Sequence, residues 1–169
     1  MATEDDVESR LSALEQAVAA LRGQVVPAAE ASDTDRALWA LEGLRARAPE
    51  GGAVLYTGTV DLPTGGTVQW QYGLPAVAVL AQDWSEQVLA LSALGHAVRL
   101  QILHAVLHGT TTASALVKTL GLGTSGQVYH HLKELTMAGW LAPRKRGTYE
   151  IPAARIVPLL AILVAAGTP

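Results

Sequence analysis

The chain has 169 residues, half of them hydrophobic, and a net charge of −3, so it can bury a core as one modest domain or as a small domain with extensions. It has no cysteine, which excludes disulfides, thiolate nucleophiles and thiolate metal sites and fits a reducing compartment. The charge is unevenly divided: residues 1–84 carry five Lys/Arg against twelve Asp/Glu, whereas residues 85–169 carry seven against three, so a polyanion would be repelled by the first half and drawn to the second.

The start of the chain, Glu4-Asp5-Asp6, lacks the basic-then-apolar order of a signal peptide. The longest charge-free apolar run, Ile156 to Ala166, is short of the roughly 20 residues that span a bilayer. The expectation is a soluble, cytoplasmic protein with no membrane partner. Residues 5–25 form a candidate coiled coil, because Val7, Leu11, Leu14, Val18, Leu21 and Val25 alternate spacings of four and three. Leucine mostly at one seam position with β-branched residues at the other is the mix that favours two strands. Three heptads are marginal alone, so this helix needs a partner or a docking surface, and self-association is the preferred reading.

Pro27 to Asp33 reads as a linker. Asp33 or Thr34 can cap a helix over Asp35 to Ala46, with Leu38, Leu41 and Leu44 on one side and Trp39 nearby; Pro49-Glu50-Gly51-Gly52 ends it. Two alternating runs follow, Ala53 to Leu62 and Thr67 to Leu74, joined across Pro63-Thr64-Gly65-Gly66. They predict a β-hairpin with Val54, Tyr56 and Val60 on one strand face and Val68, Trp70 and Tyr72 on the other strand's face. A lone hairpin is barely stable in water, so the aromatic face must cover something. The preferred cover is the helix at Leu38 to Leu44; the alternative is a small apolar-ligand pocket lined by Tyr56, Trp70, Tyr72 and Trp39.

Pro75 opens a helical region. Asp83 or Ser85 can cap a helix over Trp84 to Leu94, and Gly95 separates it from a helix over Ala97 to Leu107. Thr111 or Thr112 can then cap a short helix with Leu116 and Leu120 on its buried face, and Gly121-Leu122-Gly123 is the breaker. Thr124 or Ser125 starts a second helix, 124–138, whose apolar face is expected to hold Val128, Leu132 and Leu135, four and three apart, together with Met137. Gly139 closes it. Trp140-Leu141 and Tyr149-Glu150-Ile151 are expected to pair as a hairpin across Arg144-Lys145-Arg146-Gly147. Together these segments predict a helix-turn-helix followed by a wing.

The segment from about Leu91 to Ile151, roughly a third of the chain, resembles the winged-helix domain of the ArsR family of bacterial repressors. Leu94, His96, Arg99, Leu100, Ile102 and Leu103 carry the family's opening pattern. His131, Leu132, Leu135, Ala138, Gly139 and, conservatively, Trp140 carry that of its recognition helix. The resemblance implies a dimeric repressor-type regulator in which the terminal helices make the dimer. Pro152 sits where such a terminal helix would begin, and Ile156 to Val164 make it apolar nearly all round, so it must be buried. Metal sensing, well known in the family, lacks its ligands here: Thr112 and Ser114 carry no thiol, and the carboxy-terminal helix lacks carboxylates and histidines.

The expected architecture is therefore mainly α with small β: a coiled-coil helix (1–26), a helix and hairpin accessory region (34–74), a winged helix-turn-helix (75–151) and a dimerisation helix (152–169). Lys133, Arg144, Lys145 and Arg146 would meet phosphates and release counterions. Ser125, Gln127, Tyr129 and His130 would enter the major groove and select sequence. His131 is either part of this surface or structural. A dimer would set two such helices about 34 Å apart on a near-palindromic operator. Double-stranded DNA and a second copy are the expected partners, with a small apolar ligand or a protein effector left open as the controlling agent. No cofactor or metal is assigned; His104 and His108, four apart, would need a third ligand. No signature elbow or phosphate loop supports an enzyme. The alternatives are a weakly sequence-specific architectural DNA-binding protein and an interaction adaptor using the coiled coil and hairpin.

Overall fold

The computed structural model describes residue 10 and residues 13–16, 33–121 and 125–167. It is mainly helical with small antiparallel sheets of two strands each. In chain order the elements are α1 (Asp33–Arg45), β1 (Ala53–Asp61), β2 (Thr67–Pro75), α2 (Ala76–Ala81), a 3-10 turn (Trp84–Gln87), α3 (Val88–Leu94) and α4 (Ala97–Leu107). There follow α5 (Ala113–Leu120), α6 (Ser125–Met137), β3 (Ala142–Pro143), a second 3-10 turn (Lys145–Gly147), β4 (Tyr149–Glu150) and α7 (Ala153–Ala166). Two compact units divide between Arg47 and Ala48, so α1 lies in the first and the β1–β2 hairpin in the second. Of the expected coiled coil, Arg10 and residues 13–16 are helical; its other positions and the linker 27–32 lie outside the described residues. No single helix among the described residues is long and apolar enough to cross a membrane.

The core of the second unit is built from Ile102 and Leu103 of α4, Leu116 of α5, Val128, Leu132 and Leu135 of α6, Trp140, Leu141 and Ile151, and Ile156 and Leu159 of α7. With no phenylalanine available, Trp140 is the largest buried side chain. Its indole N–H donates to the Ala90 carbonyl at 2.9 Å, so the polar end of the ring is satisfied where it is taken from water. That burial also corrects the expected strand. Trp140-Leu141 does not pair; the ladder begins two residues later than expected, with Ala142 opposite Glu150 and Pro143 opposite Tyr149. A buried tryptophan cannot at the same time sit on the rim of an exposed two-stranded ribbon.

The helix boundaries follow local chemistry. Thr112 caps α5, its Oγ1 accepting from the Ala115 N–H at 3.2 Å, and Gly121 ends it in the left-handed conformation (φ 61°) that a Cβ would disfavour. The helix expected over Trp84 to Leu94 is split instead into a 3-10 turn and α3. Asp83 accepts the Ser85 N–H at 2.9 Å and tightens the first turn. Between α3 and α4, Arg99 donates through Nε to the Ala93 carbonyl (2.6 Å) and through Nη2 to the Ser92 carbonyl (2.7 Å). The Ser92 carbonyl also accepts the Gly95 N–H at 3.2 Å, so the guanidinium fork adds two donors to the carbonyls at the end of α3.

The expected β1–β2 hairpin forms, with Tyr56 opposite Tyr72, Gly58 opposite Trp70 and Val60 opposite Val68. Its cover is α7: a Cβ built on Gly58 would lie 2.9 Å from Val157 Cγ1, so only glycine lets the strand approach the helix this closely. Period-two alternation identifies a strand's apolar face but not what lies over it. Trp70 and Tyr72 remain exposed. The space beside Tyr56 is a cleft of about 400 Å³ between β1 and α7, lined by Leu55, Tyr56, Val60, Val157, Leu160 and Val164 among others, and not by the full aromatic set named from the sequence. Within α7, Ile156, Val157 and Leu159 are buried while Leu163 and Val164 are exposed. Part of the helix's apolar surface is thus covered by its own chain, and its last turns are not.

Gly58→Ala is expected to overpack this contact and cost about 1–3 kcal/mol in denaturant unfolding. Adding Val157→Ala to Gly58→Ala should recover part of that loss, whereas additive losses would show that the two residues do not press on one another.

Candidate nucleic-acid interface

On α6 the three-and-four spacing turns Val128, Leu132 and Leu135 inward, with exposures of 0, 1 and 0%. At 100° per residue the positions between them are forced outward, and Gln127, Tyr129, His130 and Lys133 are exposed. Ser125 is the first residue of α6; its side chain and Thr124 lie outside the described residues. Met137, expected on the apolar stripe, is 59% exposed, because a step of two residues from Leu135 carries it to the other side of the helix. Thr136 Oγ1 donates to the Leu132 carbonyl at 2.7 Å, which satisfies its hydroxyl within the helix.

The basic loop is anchored rather than loose. Tyr149 N–H donates to the Thr111 carbonyl at 2.8 Å, Thr148 bridges Thr112, and Arg144 N–H donates to the Thr148 carbonyl at 2.8 Å. The hairpin is therefore hydrogen-bonded to the residues that start α5, the helix packed against α6. Its tip turns through Arg146, the only described non-glycine residue with positive φ (63°), followed by Gly147 at 70°. Arg146 pairs with no acid among the described residues, and neither do Lys145 and Lys133. Arg144 differs: it forms an ion pair with Glu150 across the hairpin, and that carboxylate, by hydrogen bond and by charge, raises the Arg144 pKa. The three cations that look equivalent in sequence are thus two free and one engaged. The acid was visible in the sequence, but the pairing of β3 with β4 decides what it faces.

His131 belongs to the packed side of α6. It is half-buried, its Nδ1 is buried without a hydrogen-bond partner, and its ring centroid lies 4.7 Å from that of His96. Burial, then the neighbouring His96, His130 and Arg99, hold its pKa below the ordinary histidine value, with Glu134 opposing. His96 is itself an N-cap: its Nδ1 accepts from the Val98 N–H at 3.2 Å at the start of α4. Composition gave no hint of that role; a histidine directly before a helical run was the signal available.

His104 and His108 stack with centroids 4.2 Å apart, and His108 Nδ1 bonds the His104 carbonyl at 2.8 Å. Among the described residues no group of three or more histidines and acids could hold a metal ion. No family model matches this chain, and no curated protein matches it either.

Thr112→Ala should cost about 1 kcal/mol of unfolding free energy through loss of the α5 cap, with Thr112→Ser close to wild type. Equal losses for the two variants would place the effect in the hairpin contact instead.

Proposed function

We propose that the chain is a dimeric, sequence-specific DNA-binding regulator of the winged helix-turn-helix type, resembling the ArsR repressors. In this reading α5 and α6 are the helix-turn-helix, α6 is the recognition helix, and the β3–β4 hairpin is the wing. The observation that carries the reading is the division of α6. One stripe is buried to within 1%, and the other presents Gln127, Tyr129, His130 and Lys133 to solvent. An amide, a phenol and an imidazole are suited to base edges, and the lysine to phosphate. Lys145 and Arg146 at the hairpin tip add unpaired cations of the kind that grip a backbone. Ser125, at the helix start, completes the proposed set, and Arg144 joins it only by leaving Glu150.

Dimerisation is supported by apolar surface that a monomer leaves in water. Val77, Leu80, Trp84, Val88 and Leu91 are each more than half exposed, as is Val164 on α7. The same surface favours a second reading, an adaptor that binds proteins rather than DNA. The two separate cleanly in one experiment: selection of bound sequences from random duplexes at two salt concentrations. Enrichment of an inverted repeat supports the regulator; equal binding of unrelated duplexes supports an architectural protein; no binding at physiological salt supports the adaptor.

Within the regulator reading, the double variant Lys145→Ala/Arg146→Ala should make the slope of log affinity against log salt shallower by about 2. Arg144→Ala should change it by less than Lys145→Ala, and Glu150→Gln should raise affinity by releasing Arg144. Gln127→Ala is expected to relax base preference at one position, by about 1–3 kcal/mol of discrimination, without altering the salt slope.

A further inference from the structure

We propose that the contact between the start of α4 and the middle of α6 is an acid-sensitive joint: neutral His96 and His131 hold α6 on α4, and protonating them loosens it. The rings lie 4.7 Å apart, and His130 lies 5.7 Å from His131. His96 can cap α4 only as an acceptor, since its Nδ1 faces the Val98 N–H. A proton on that nitrogen sets donor against donor and removes the cap. His131 Nδ1 is buried with no partner, so a proton placed there would have no acceptor and would charge a half-buried ring.

The charged and titratable groups facing His131 reinforce this. From α4 and its cap come Arg99 and His96; from α6 come His130 and the single carboxylate, Glu134. Arg99 is held by the Ala93 and Ser92 carbonyls and so cannot easily swing away from a new positive charge. Up to three cations would then crowd His131 against one acid, and like charges at this range repel. Burial first, and then these neighbouring charges, hold the His131 pKa below its usual value. The sign follows: the folded state binds fewer protons than the unfolded chain as pH falls below about 6.5, so stability is full above that pH and declines through the lowered folded value. Each unit of lowering changes the folded-to-unfolded ratio by about tenfold.

The test is an NMR titration of the histidine ring protons on the full chain, with thermal unfolding at pH 7.5 and 5.5, for wild type, His96→Asn and His96→Asn/His131→Leu. Asparagine retains a cap without titrating. The joint predicts that a ring assigned to His131 titrates below free histidine, that wild type loses stability on acidification, and that the double variant loses clearly less. A His131 ring that titrates like free histidine, or equal acid losses in all three proteins, overturns it. The consequence for DNA rests on the proposed function: affinity for a selected duplex should fall about tenfold more in wild type than in the double variant between the two pH values. Equal falls overturn the link to α6. No selected duplex at pH 7.5 sinks the DNA reading alone, and the titration still judges the joint.

Discussion

Everything about the second unit depends on one stripe of α6 being out of water. Val128, Leu132 and Leu135 meet Ile102 and Leu103 of α4 and Leu116 of α5 in a single cluster. Burying three such side chains is worth several kcal/mol in total, on the order of 2 kcal/mol each. Because a helix is rigid about its axis, this burial also sets which side chains stay wet. The exposure of Gln127, Tyr129, His130 and Lys133 is therefore a consequence of the core. No separate interaction has to hold them outward.

The same core disciplines the chain on either side. Trp140, anchored through Ala90, draws the segment after α6 onto α3 and delays the β3–β4 ladder to Ala142. In that ladder Glu150 lies opposite Ala142 and pairs with Arg144. At the other end, the β1–β2 hairpin closes over α7 at Gly58 and Val157, and Leu62 and Val68 pack against the central cluster. A hairpin that would be marginal alone is thus stabilised by tertiary contact.

Electrostatics and apolar exposure point the same way within the proposed function. The second half of the chain is the basic one, and its free cations include Lys133 on α6 and Lys145 and Arg146 on the hairpin. The exposed run from Val77 to Leu91 offers surface for association. The histidines form the other connection: His96 caps the helix on which α6 rests, and His131 sits on the side of α6 that faces it, so one cluster touches both the scaffold and the helix with the exposed polar stripe.

Much of this was legible from residue order alone. Three-and-four spacing picked out the buried positions Val128, Leu132 and Leu135 of α6, alternation picked out both strands of the first hairpin, and Thr111 or Thr112 and the Gly121-Leu122-Gly123 run marked the ends of α5. Those signals are local: they depend on backbone geometry and on neighbours within a turn. What covers the hairpin, where the second ladder starts and why the His131 pKa is lowered depend on residues tens of positions apart, and which cation of Arg144-Lys145-Arg146 is engaged depends on Glu150 across the hairpin. Ala90 meets Trp140, Gly58 meets Val157, and His96 meets His131 only after the core has closed. The sequence alone determined which side of each element is apolar, whereas the tertiary structure decided what that side rests against, because periodicity specifies a direction and contact requires a partner.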